Sequence, residues 1–322
     1  MSFTSNFSDE ELLLDIIDSV DNYLMENLSQ DDNVMDGSVR HLPNAGGKRL
    51  RPSLFLLSVE YLGGNFRDYV PLAAGIESLH TSSLIQDDLP EMDDDELRRG
   101  VESVHNCYGS DISILASNVL RSKATTWTTR VNESSKDVNY IVEQLDTVVE
   151  QMCHGQRLDL CFNANSIPSE REYLDMVYGK TARLYEFCGH SAGFLMNIES
   201  SDLSELSEFG RNLGTAFQLT DDVIDFEGGY TGKDAYTDLA SGKVTIVTLH
   251  CSNQGFDIFS SDLPLDDKLD MVETAGSIEY ASDLVSDFLS DACNNLENID
   301  AIDKQSKDHL LELVDFIEER KI

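Results

Sequence analysis

Two clusters of acidic side chains are the first candidates for chemistry in this sequence. One lies in the segment QDDLPEMDDDELRRG at 86–100, and the other comprises Asp221, Asp222 and Asp225 within a helical pattern. Residues four apart share a helix face, so Asp221 and Asp225 are expected to point the same way. Crowded carboxylates repel each other and need a cation, and oxygen ligands suit Mg²⁺ or Ca²⁺. Because Mg²⁺ usually leaves coordination positions to substrate phosphates, the clusters indicate a diphosphate ligand.

Spacing does not fix the ligands within the first cluster. Asp87 and Asp88 can end a helix, because Pro90 disfavours helical geometry at the residue before it. Strict i,i+4 spacing pairs Asp87 with Glu91, but spacing alone does not choose among Glu91, Asp93, Asp94 and Asp95. The alternative for either cluster alone is a solvated acidic surface.

The basic side chains are few but grouped. The chain has 23 Lys plus Arg against 60 Asp plus Glu, a net charge of −37. Even so, Lys48, Arg49 and Arg51 stand together in GGKRLRP, and Arg98 precedes Arg99. Glycines before Lys48 let the backbone approach a phosphate, and arginine matches phosphate oxygens bidentately. Each group alone could form surface salt bridges, but together with the acidic clusters they indicate a polyanion bound with a metal.

Helical patterns fill the chain and predict an all-α fold. The 41% hydrophobic content supports a large core, and Ser8 with Glu11 forms a capping-box pattern before the first helix. Further helices are predicted at 52–62, 71–88, 109–130, 137–160, 170–196, 203–226, 278–296 and 303–320. No linker or internal repeat interrupts the sequence, so we expect one helical-bundle domain over residues 1–322.

The charge and the apolar pattern exclude several classes of partner. A net charge of −37 repels nucleic acid and anionic membranes. No run approaches the length of a transmembrane helix, no signal-peptide pattern is visible, and the six cysteines are scattered, so we expect a cytoplasmic protein with reduced thiols. Molar salt shortens the Debye length to about 3 Å and screens self-repulsion. The composition therefore predicts a high-salt cytoplasm, with an ordinary acidic cytosolic protein as the alternative.

Several motifs resemble those of the trans-isoprenyl diphosphate synthases, the family that contains farnesyl and geranylgeranyl diphosphate synthases. They occur in the family's order and are GGKRLRP (46–52), ESLHTSSLIQDDLPEMDDDELRRG (77–100), GQRLDL (155–160), KT (180–181), FQLTDDVID (217–225) and GKDAYTDLASGKVT (232–245). The resemblance implies an isoprenoid-synthase-type helical bundle around a central cavity, usually in a homodimer. It also implies a magnesium-dependent prenyltransferase that condenses isopentenyl diphosphate with an allylic diphosphate.

Roles for individual residues follow from the resemblance. The implied ligands of magnesium, with three ions per site and Mn²⁺ as a substitute, are Asp87, Asp88 and Asp93 on one wall and Asp221 and Asp225 on the other. The implied contacts of the allylic diphosphate are Arg98, Lys180, Lys233 and Lys243. Those of isopentenyl diphosphate are Lys48, Arg51, His80 and Arg99. Thr181 and Gln218 are the implied neutral groups near the allylic cation, and they join Arg98 and Lys180 as catalytic residues.

The resemblance also implies that product length depends on the residues one helical turn before the first aspartate. These are Ser82 and Ser83, where an aromatic residue would stop growth near fifteen carbons. Serine leaves the path open, so we expect the twenty-carbon geranylgeranyl diphosphate, with a fifteen- or twenty-five-carbon product as the alternative. Departures from the family pattern at Glu102, Ser117 and Arg183 leave room for an altered substrate preference. They also leave a second alternative, a partner subunit of low activity.

Overall fold

A computed structural model describes residues 7–227, 236–260 and 262–319. The helices of the first half are α1 (Glu10–Asn27), α2 (Val34–Asn44), α3 (Leu50–Tyr61), α4 (Val70–Asp87), α5 (Val104–Tyr108), α6 (Ser110–Thr128) and α7 (Ser135–Cys161). Those of the second half are α8 (Glu170–Val177), α9 (Arg183–Leu195), α10 (Ser200–Glu227), α11 (Thr237–Ser241), α12 (Ile246–Asn253), α13 (Leu265–Thr274), α14 (Ser277–Glu297) and α15 (Lys304–Glu319). A 3₁₀ turn occupies Phe66–Tyr69, a π-helical turn occupies Tyr178–Ala182, and a short hairpin joins β1 (Leu97–Arg98) to β2 (Val101–Glu102).

The predicted all-α class is confirmed, with corrections to individual elements. Helix α1 begins at Glu10 and is capped by Asp9, whose side chain accepts from the Leu12 amide, so the capping-box prediction at Ser8 was wrong by one residue. The long helix predicted at 170–196 is interrupted by the π-helical turn. Helices α2, α5, α11, α12 and α13 were not predicted.

The described residues divide into two compact units. One comprises 7–147, Cys188–Glu199 and Ala301–Leu310. The other comprises Val148–Phe187, 311–319 and the described residues within 200–300. The expectation of a single domain around a central cavity stays a prediction.

In the first unit, helix α4 packs closely on α6. Apolar and small residues occur around most of the circumference of α4, which is therefore largely buried. The Ser78 hydroxyl donates to the carbonyl of Leu120 at 2.9 Å, and the Ser117 hydroxyl donates to the carbonyl of Ser82 at 2.9 Å. Because these side chains are short, they let the two helices approach and at the same time satisfy buried backbone oxygens.

In the second unit, helix α10 packs on α14 and on the π-helical turn. The end of α7 also meets that turn, at a crossing of two glycines. A Cβ atom added to Gly155 would lie 2.2 Å from the Lys180 amide nitrogen and 2.6 Å from the carbonyl carbon of Gly179. The backbones are therefore in direct contact, and this fixes the turn that carries Lys180 and Thr181.

Within the described ranges, no helix is both long enough and apolar enough to cross a membrane.

Candidate active site

The segment 46–52 enters α3 through left-handed backbone. Gly47 has φ +148°, and Arg49, the residue before the helix, has φ +52°. The side chain of Lys48 is exposed, and Arg51 is half-buried in the first turn of α3. The backbone thus sends Lys48 and Arg49 in different directions, with Arg49 turned into the core.

Arg51 and His80 form a hydrogen bond within the first unit. Arg51 Nη1 lies 3.3 Å from His80 Nε2. A guanidinium can only donate, so His80 Nε2 accepts and the ring proton is assigned to Nδ1. Burial and the positive charge of Arg51 hold the pKa of His80 well below its usual 6.5. His80 is therefore neutral at pH 7 and orients Arg51.

The hairpin separates two consecutive arginines. Leu97 pairs with Glu102 and Arg98 pairs with Val101, which leaves Arg99 and Gly100 as the two turn residues. Their φ values of +55° and +78° are those of a type I′ turn, which matches the twist of a hairpin. The turn directs the side chains of Arg98 and Arg99 to different acidic partners.

Arg98 is bound to the end of α4. Its Nε lies 2.7 Å from Asp88 Oδ1, and its Nη2 lies 2.5 Å from Asp95 Oδ2. Although burial opposes the charged form, the buried carboxylate of Asp88 raises the pKa of Arg98. The Asp93 amide donates to the carbonyl of Asp87 at 2.9 Å, so the chain turns back at this point. The structure therefore brings the backbones of Asp87 and Asp93 together and pairs Asp88 with arginine.

In the second unit, one carboxylate binds two of the predicted lysines. Asp159 Oδ2 lies 2.5 Å from Lys180 Nζ and 4.0 Å from Lys243 Nζ. The Asp159 side chain is only 7% exposed. Burial opposes its ionisation, but the lysines outweigh that effect and lower the pKa of Asp159. The carboxylate is therefore charged and gathers two cations.

Thr181 and Gln218 also meet in the second unit. The Thr181 hydroxyl donates to Gln218 Oε1 at 2.8 Å, and Gln218 Nε2 donates to Asp222 Oδ1 at 3.3 Å. Asp222 is buried, accepts from the Tyr173 hydroxyl, and accepts from the Ile246 amide at 3.2 Å. Burial raises the pKa of Asp222 to about 7. Asp222 thus ties α10 to α8 and to the start of α12.

The other acidic residues of the second cluster differ in their surroundings. Asp225 accepts from the amides of Thr237 and Asp238, both at 3.1 Å, and so binds the first residues of α11. Asp221 is half-buried, one helical turn before Asp225. On the predicted shared face of α10, Asp225 therefore binds α11, and Asp221 lies one helical turn away from that contact.

Comparison with known proteins identifies the family. A sequence profile described as Polyprenyl synthetase matches residues 32–259, which is more than half of the chain. The chain belongs to the polyprenyl synthetase family. Members of this family are prenyltransferases, so the predicted enzyme class is confirmed at that level.

Individual relatives agree with this identification. A geranylgeranyl pyrophosphate synthase from Geoglobus acetivorans is 33% identical over 290 residues, covering 88% of this chain and 90% of that protein. A geranylfarnesyl diphosphate synthase from Natronomonas pharaonis is 34% identical over 306 residues, covering 87% and 88% respectively. The crystal structure of geranylgeranyl pyrophosphate synthetase from Pyrococcus horikoshii matches with a TM-score of 0.87 at 31% identity, covering 96% of this chain and 98% of that one. The predicted isoprenoid-synthase-type helical fold is confirmed.

The predicted site residues of this family member fall into small groups. The pairs brought together are Arg51 with His80, Asp87 with Asp93, Lys180 with Lys243, and Thr181 with Gln218. Lys233 lies outside the described residues. The gate residue Ser82 is buried, and Ser83 donates to the carbonyl of His80 at 2.9 Å. Their roles in catalysis and in chain length stay predictions.

Sequence reasoning missed two carboxylates that organise these groups. Asp159 lies in the motif GQRLDL, and Glu77 lies three residues before His80 in ESLH. Both motifs contributed to the resemblance, but neither carboxylate received a role. The available signal was an acidic residue beside a predicted cation site. Sequence alone does not reveal that both side chains are buried against cations.

The aspartates of the two clusters are the candidate ligands of magnesium. Among the described residues, no three or more His, Cys, Asp or Glu side chains converge closely enough to hold a metal by themselves. Magnesium often takes only one or two carboxylates and completes its shell with water and substrate phosphates. Asp87, Asp93 and Asp221 offer only oxygen donors and are not buried. In each unit, these oxygen donors fit a hard cation that binds together with a diphosphate.

Proposed function

We propose that this chain is a magnesium-dependent prenyltransferase that condenses isopentenyl diphosphate with dimethylallyl, geranyl or farnesyl diphosphate to give geranylgeranyl diphosphate. The observation that carries the proposal is the arrangement of cations in a protein of net charge −37. In each unit, one carboxylate that is at least nine-tenths buried forms salt bridges with two basic side chains. In the first unit, Glu77 binds Arg49 and Arg99. In the second unit, Asp159 binds Lys180 and Lys243. A reaction between two diphosphates needs two sites rich in positive charge.

The basic residues are assigned to the two substrates in two sets. Lys48, Arg51 and Arg99 bind isopentenyl diphosphate, and neutral His80 acts with them by orienting Arg51. The allylic diphosphate is bound by Arg98, Lys180, Lys233 and Lys243. Arginine and lysine stabilise the negative charge that grows on the departing diphosphate.

The reaction breaks one bond and forms one. The C–O bond of the allylic diphosphate breaks, and its electron pair leaves with the diphosphate. The double bond of isopentenyl diphosphate then attacks the allylic carbon and forms a C–C bond. A proton leaves the isopentenyl unit and is taken up by the released diphosphate. Thr181 and Gln218, bonded to each other at 2.8 Å, place uncharged oxygens near the cation and supply no strong nucleophile to trap it.

The metal is assigned to the acidic residues. Asp87, Asp93 and Asp221 would hold magnesium, three ions in total as the family suggests, with Mn²⁺ as a substitute. Asp88 and Asp225 are the other two proposed ligands of magnesium. Asp88 also binds Arg98, and Asp225 also binds the start of α11. When bound, magnesium stabilises charge on the diphosphate. Arg98, which is bound to Asp88, would stabilise the negative charge on the oxygens of the same diphosphate.

A product of twenty carbons is proposed from the two serines on α4. Ser82 and Ser83 place no bulky group one turn before Asp87. The relative from Natronomonas pharaonis is named for a geranylfarnesyl product, so twenty-five carbons is the alternative length. A homodimer in a high-salt cytoplasm completes the proposal.

The test uses labelled isopentenyl diphosphate with each of the three allylic starters and Mg²⁺. We expect label to enter a longer prenyl diphosphate, and EDTA to abolish the incorporation until excess Mg²⁺ restores it. Incorporation that is insensitive to EDTA would contradict the metal assignment. No incorporation with any starter would contradict the function.

A further inference from the structure

Glu77 is a buried carboxylate that none of the roles assigned above explains. It lies on α4, and its side chain is 3% exposed. Its Oε1 accepts from Arg49 Nη1 at 2.6 Å and from Arg99 Nη2 at 2.9 Å. These arginines come from different segments of the first unit, the entry to α3 and the turn of the hairpin. One oxygen of Glu77 therefore joins two segments to α4.

Arg49 is held entirely by the protein. Its Nε donates to Asp21 at 2.6 Å, its Nη1 also donates to the Gly46 carbonyl at 3.1 Å, and its Nη2 donates to the Pro43 carbonyl at 3.2 Å. With a side-chain exposure of 1%, it has no surface for a substrate. Arg49 is thus a fixed structural cation against which Glu77 is placed.

Arg99 differs because only part of its guanidinium is used. Besides Glu77 it donates from Nη1 to the Leu42 carbonyl at 3.2 Å, and its side chain is 14% exposed. A guanidinium has five N–H donors, and these two contacts hold its terminal nitrogens from the protein side. The contacts define the plane of the group while part of the side chain stays accessible.

The two arginines lie side by side beneath the glycine that precedes Lys48. A Cβ atom on Gly47 would be 3.0 Å from Arg49 Nη1 and 3.1 Å from Arg99 Cζ. Two guanidinium groups this close repel each other unless an anion lies between them. Although burial opposes ionisation, Arg49 and Arg99 lower the pKa of Glu77 to about 2, so the anion is present at every working pH.

We propose that Glu77 is a positioning residue for the binding of isopentenyl diphosphate. Glu77 fixes the guanidinium of Arg99 so that it can bind the diphosphate, and Glu77 itself does not touch the substrate. The proposal rests on the proposed function, because it takes Arg99 as a contact of that substrate. Glu77 acts through Arg99 and not through Arg51, whose orientation depends on His80.

The primary test is binding of isopentenyl diphosphate to Glu77→Gln, measured by calorimetry without an allylic substrate. Glutamine keeps the shape but removes the charge, so Arg99 loses a charge-assisted hydrogen bond. We expect the Kd to rise at least about tenfold, in the range that loss of one such bond produces. In turnover, the KM for isopentenyl diphosphate should rise while the KM for the allylic diphosphate stays unchanged.

Two further variants separate positioning from general stability. Glu133→Gln removes another carboxylate of the same unit, which accepts from the Tyr69 hydroxyl, and should leave the Kd unchanged. If Glu77 acts through Arg99, adding Glu77→Gln to Arg99→Ala should raise the Kd no further. If Glu77→Gln does not fold, Glu77→Asp decides the matter, because it keeps the charge but displaces it, and the Kd should again rise.

The outcomes are distinguishable. The positioning role alone is overturned if the wild type binds isopentenyl diphosphate and folded Glu77→Gln binds it with the same Kd. If Glu77→Gln does not fold, an unchanged Kd for Glu77→Asp has the same meaning. Additive effects of Glu77→Gln and Arg99→Ala also overturn it. If the wild type does not bind isopentenyl diphosphate, the proposed function fails and the positioning role fails with it.

Discussion

At the scale of the residue, the hydrogen bond between Arg51 and His80 has only one possible direction. Arg51 donates, so the bond exists only while His80 Nε2 carries a lone pair. Protonation of His80 would replace the bond by repulsion between two cations. The orientation of Arg51 therefore depends on His80 staying neutral.

This dependence predicts a loss of stability in mild acid. The pKa of His80 is below 6.5 in the folded protein, so below about pH 6.5 the unfolded chain binds the additional proton. The free energy of unfolding should fall as the pH is lowered from 6.5, by at most about 1.4 kcal/mol per pH unit from this group. Urea unfolding at several pH values measures the slope.

The matched variant is His80→Gln, whose amide oxygen accepts from Arg51 at any pH. Subtracting its slope from that of the wild type removes the contribution of the other histidines. If the free energy of unfolding has the same pH dependence in both proteins between about pH 5 and 6.5, His80 is not held neutral.

Ser82 gives a second prediction at the residue scale. Replacing it with phenylalanine should shorten the main product to fifteen carbons or fewer, because the ring would block the growing chain. Ser82 is 3% exposed and its carbonyl accepts from Ser117, so the ring also overpacks α4 against α6. We expect a cost of about 1–3 kcal/mol in the free energy of unfolding. Chromatography of dephosphorylated products measures the length.

The control is Ser122→Phe, at an exposed position on α6. It should change neither product length nor stability by a measurable amount. An unchanged product from folded Ser82→Phe would rule out the serine gate.

At the scale of the element, the π-helical turn depends on contact between two backbones. A Cβ at Gly155 would lie 2.2 Å from the Lys180 amide nitrogen, and no flexible side chain can move aside. Gly155→Ala should lower the free energy of unfolding by about 3 kcal/mol, at the upper end for overpacking. It should also raise the KM for the allylic diphosphate, because Lys180 is displaced from Asp159.

Gly37→Ala is the matched control in helix α2. Its added Cβ would meet only the Tyr108 side chain, at an ordinary 3.4 Å, so the variant should be neutral or more stable by up to about 1 kcal/mol. If both variants have the same stability and the same KM values, the glycine crossing does not position Lys180.

Regular helices could be predicted from the sequence, and irregular elements could not. Helices α4 and α14 match the predicted ranges to within one residue, because Pro71 marks one start and apolar periodicity marks the other. The π-helical turn depends on Gly155, about 25 residues away in the chain, which a local pattern does not contain. The hairpin was missed because two-residue strands are too short for alternation.

The residues of the candidate site could be named from the sequence, but their hydrogen-bond and salt-bridge partners could not. The grouped cations and the aspartates could be named from residue type and resemblance. The partners Glu77 and Asp159 could not, because an acidic residue in so acidic a chain carries no signal until its burial is known. Likewise, spacing put Asp225 on the face of Asp221, but its bonds to α11 depend on a later segment.

At the scale of the whole molecule, the charge of −37 predicts dependence on salt. At about 0.1 M salt the Debye length is about 10 Å, and it falls to about 3 Å at 1 M, so molar KCl screens the repulsion among surface carboxylates. The Tm should rise between about 0.1 M and 2 M KCl, by roughly 5 °C or more if a few kcal/mol are recovered. A Tm that stays constant in a calorimetric scan would exclude adaptation to high salt.

We propose that this chain by itself joins isopentenyl diphosphate to an allylic diphosphate. The most direct test is mass spectrometry of the product made by the purified chain from isopentenyl and farnesyl diphosphates with Mg²⁺, at low and at molar KCl. We predict a twenty-carbon diphosphate and one released diphosphate for each bond formed. A folded chain that gives no product, or gives product only after a second protein is added, would contradict the claim.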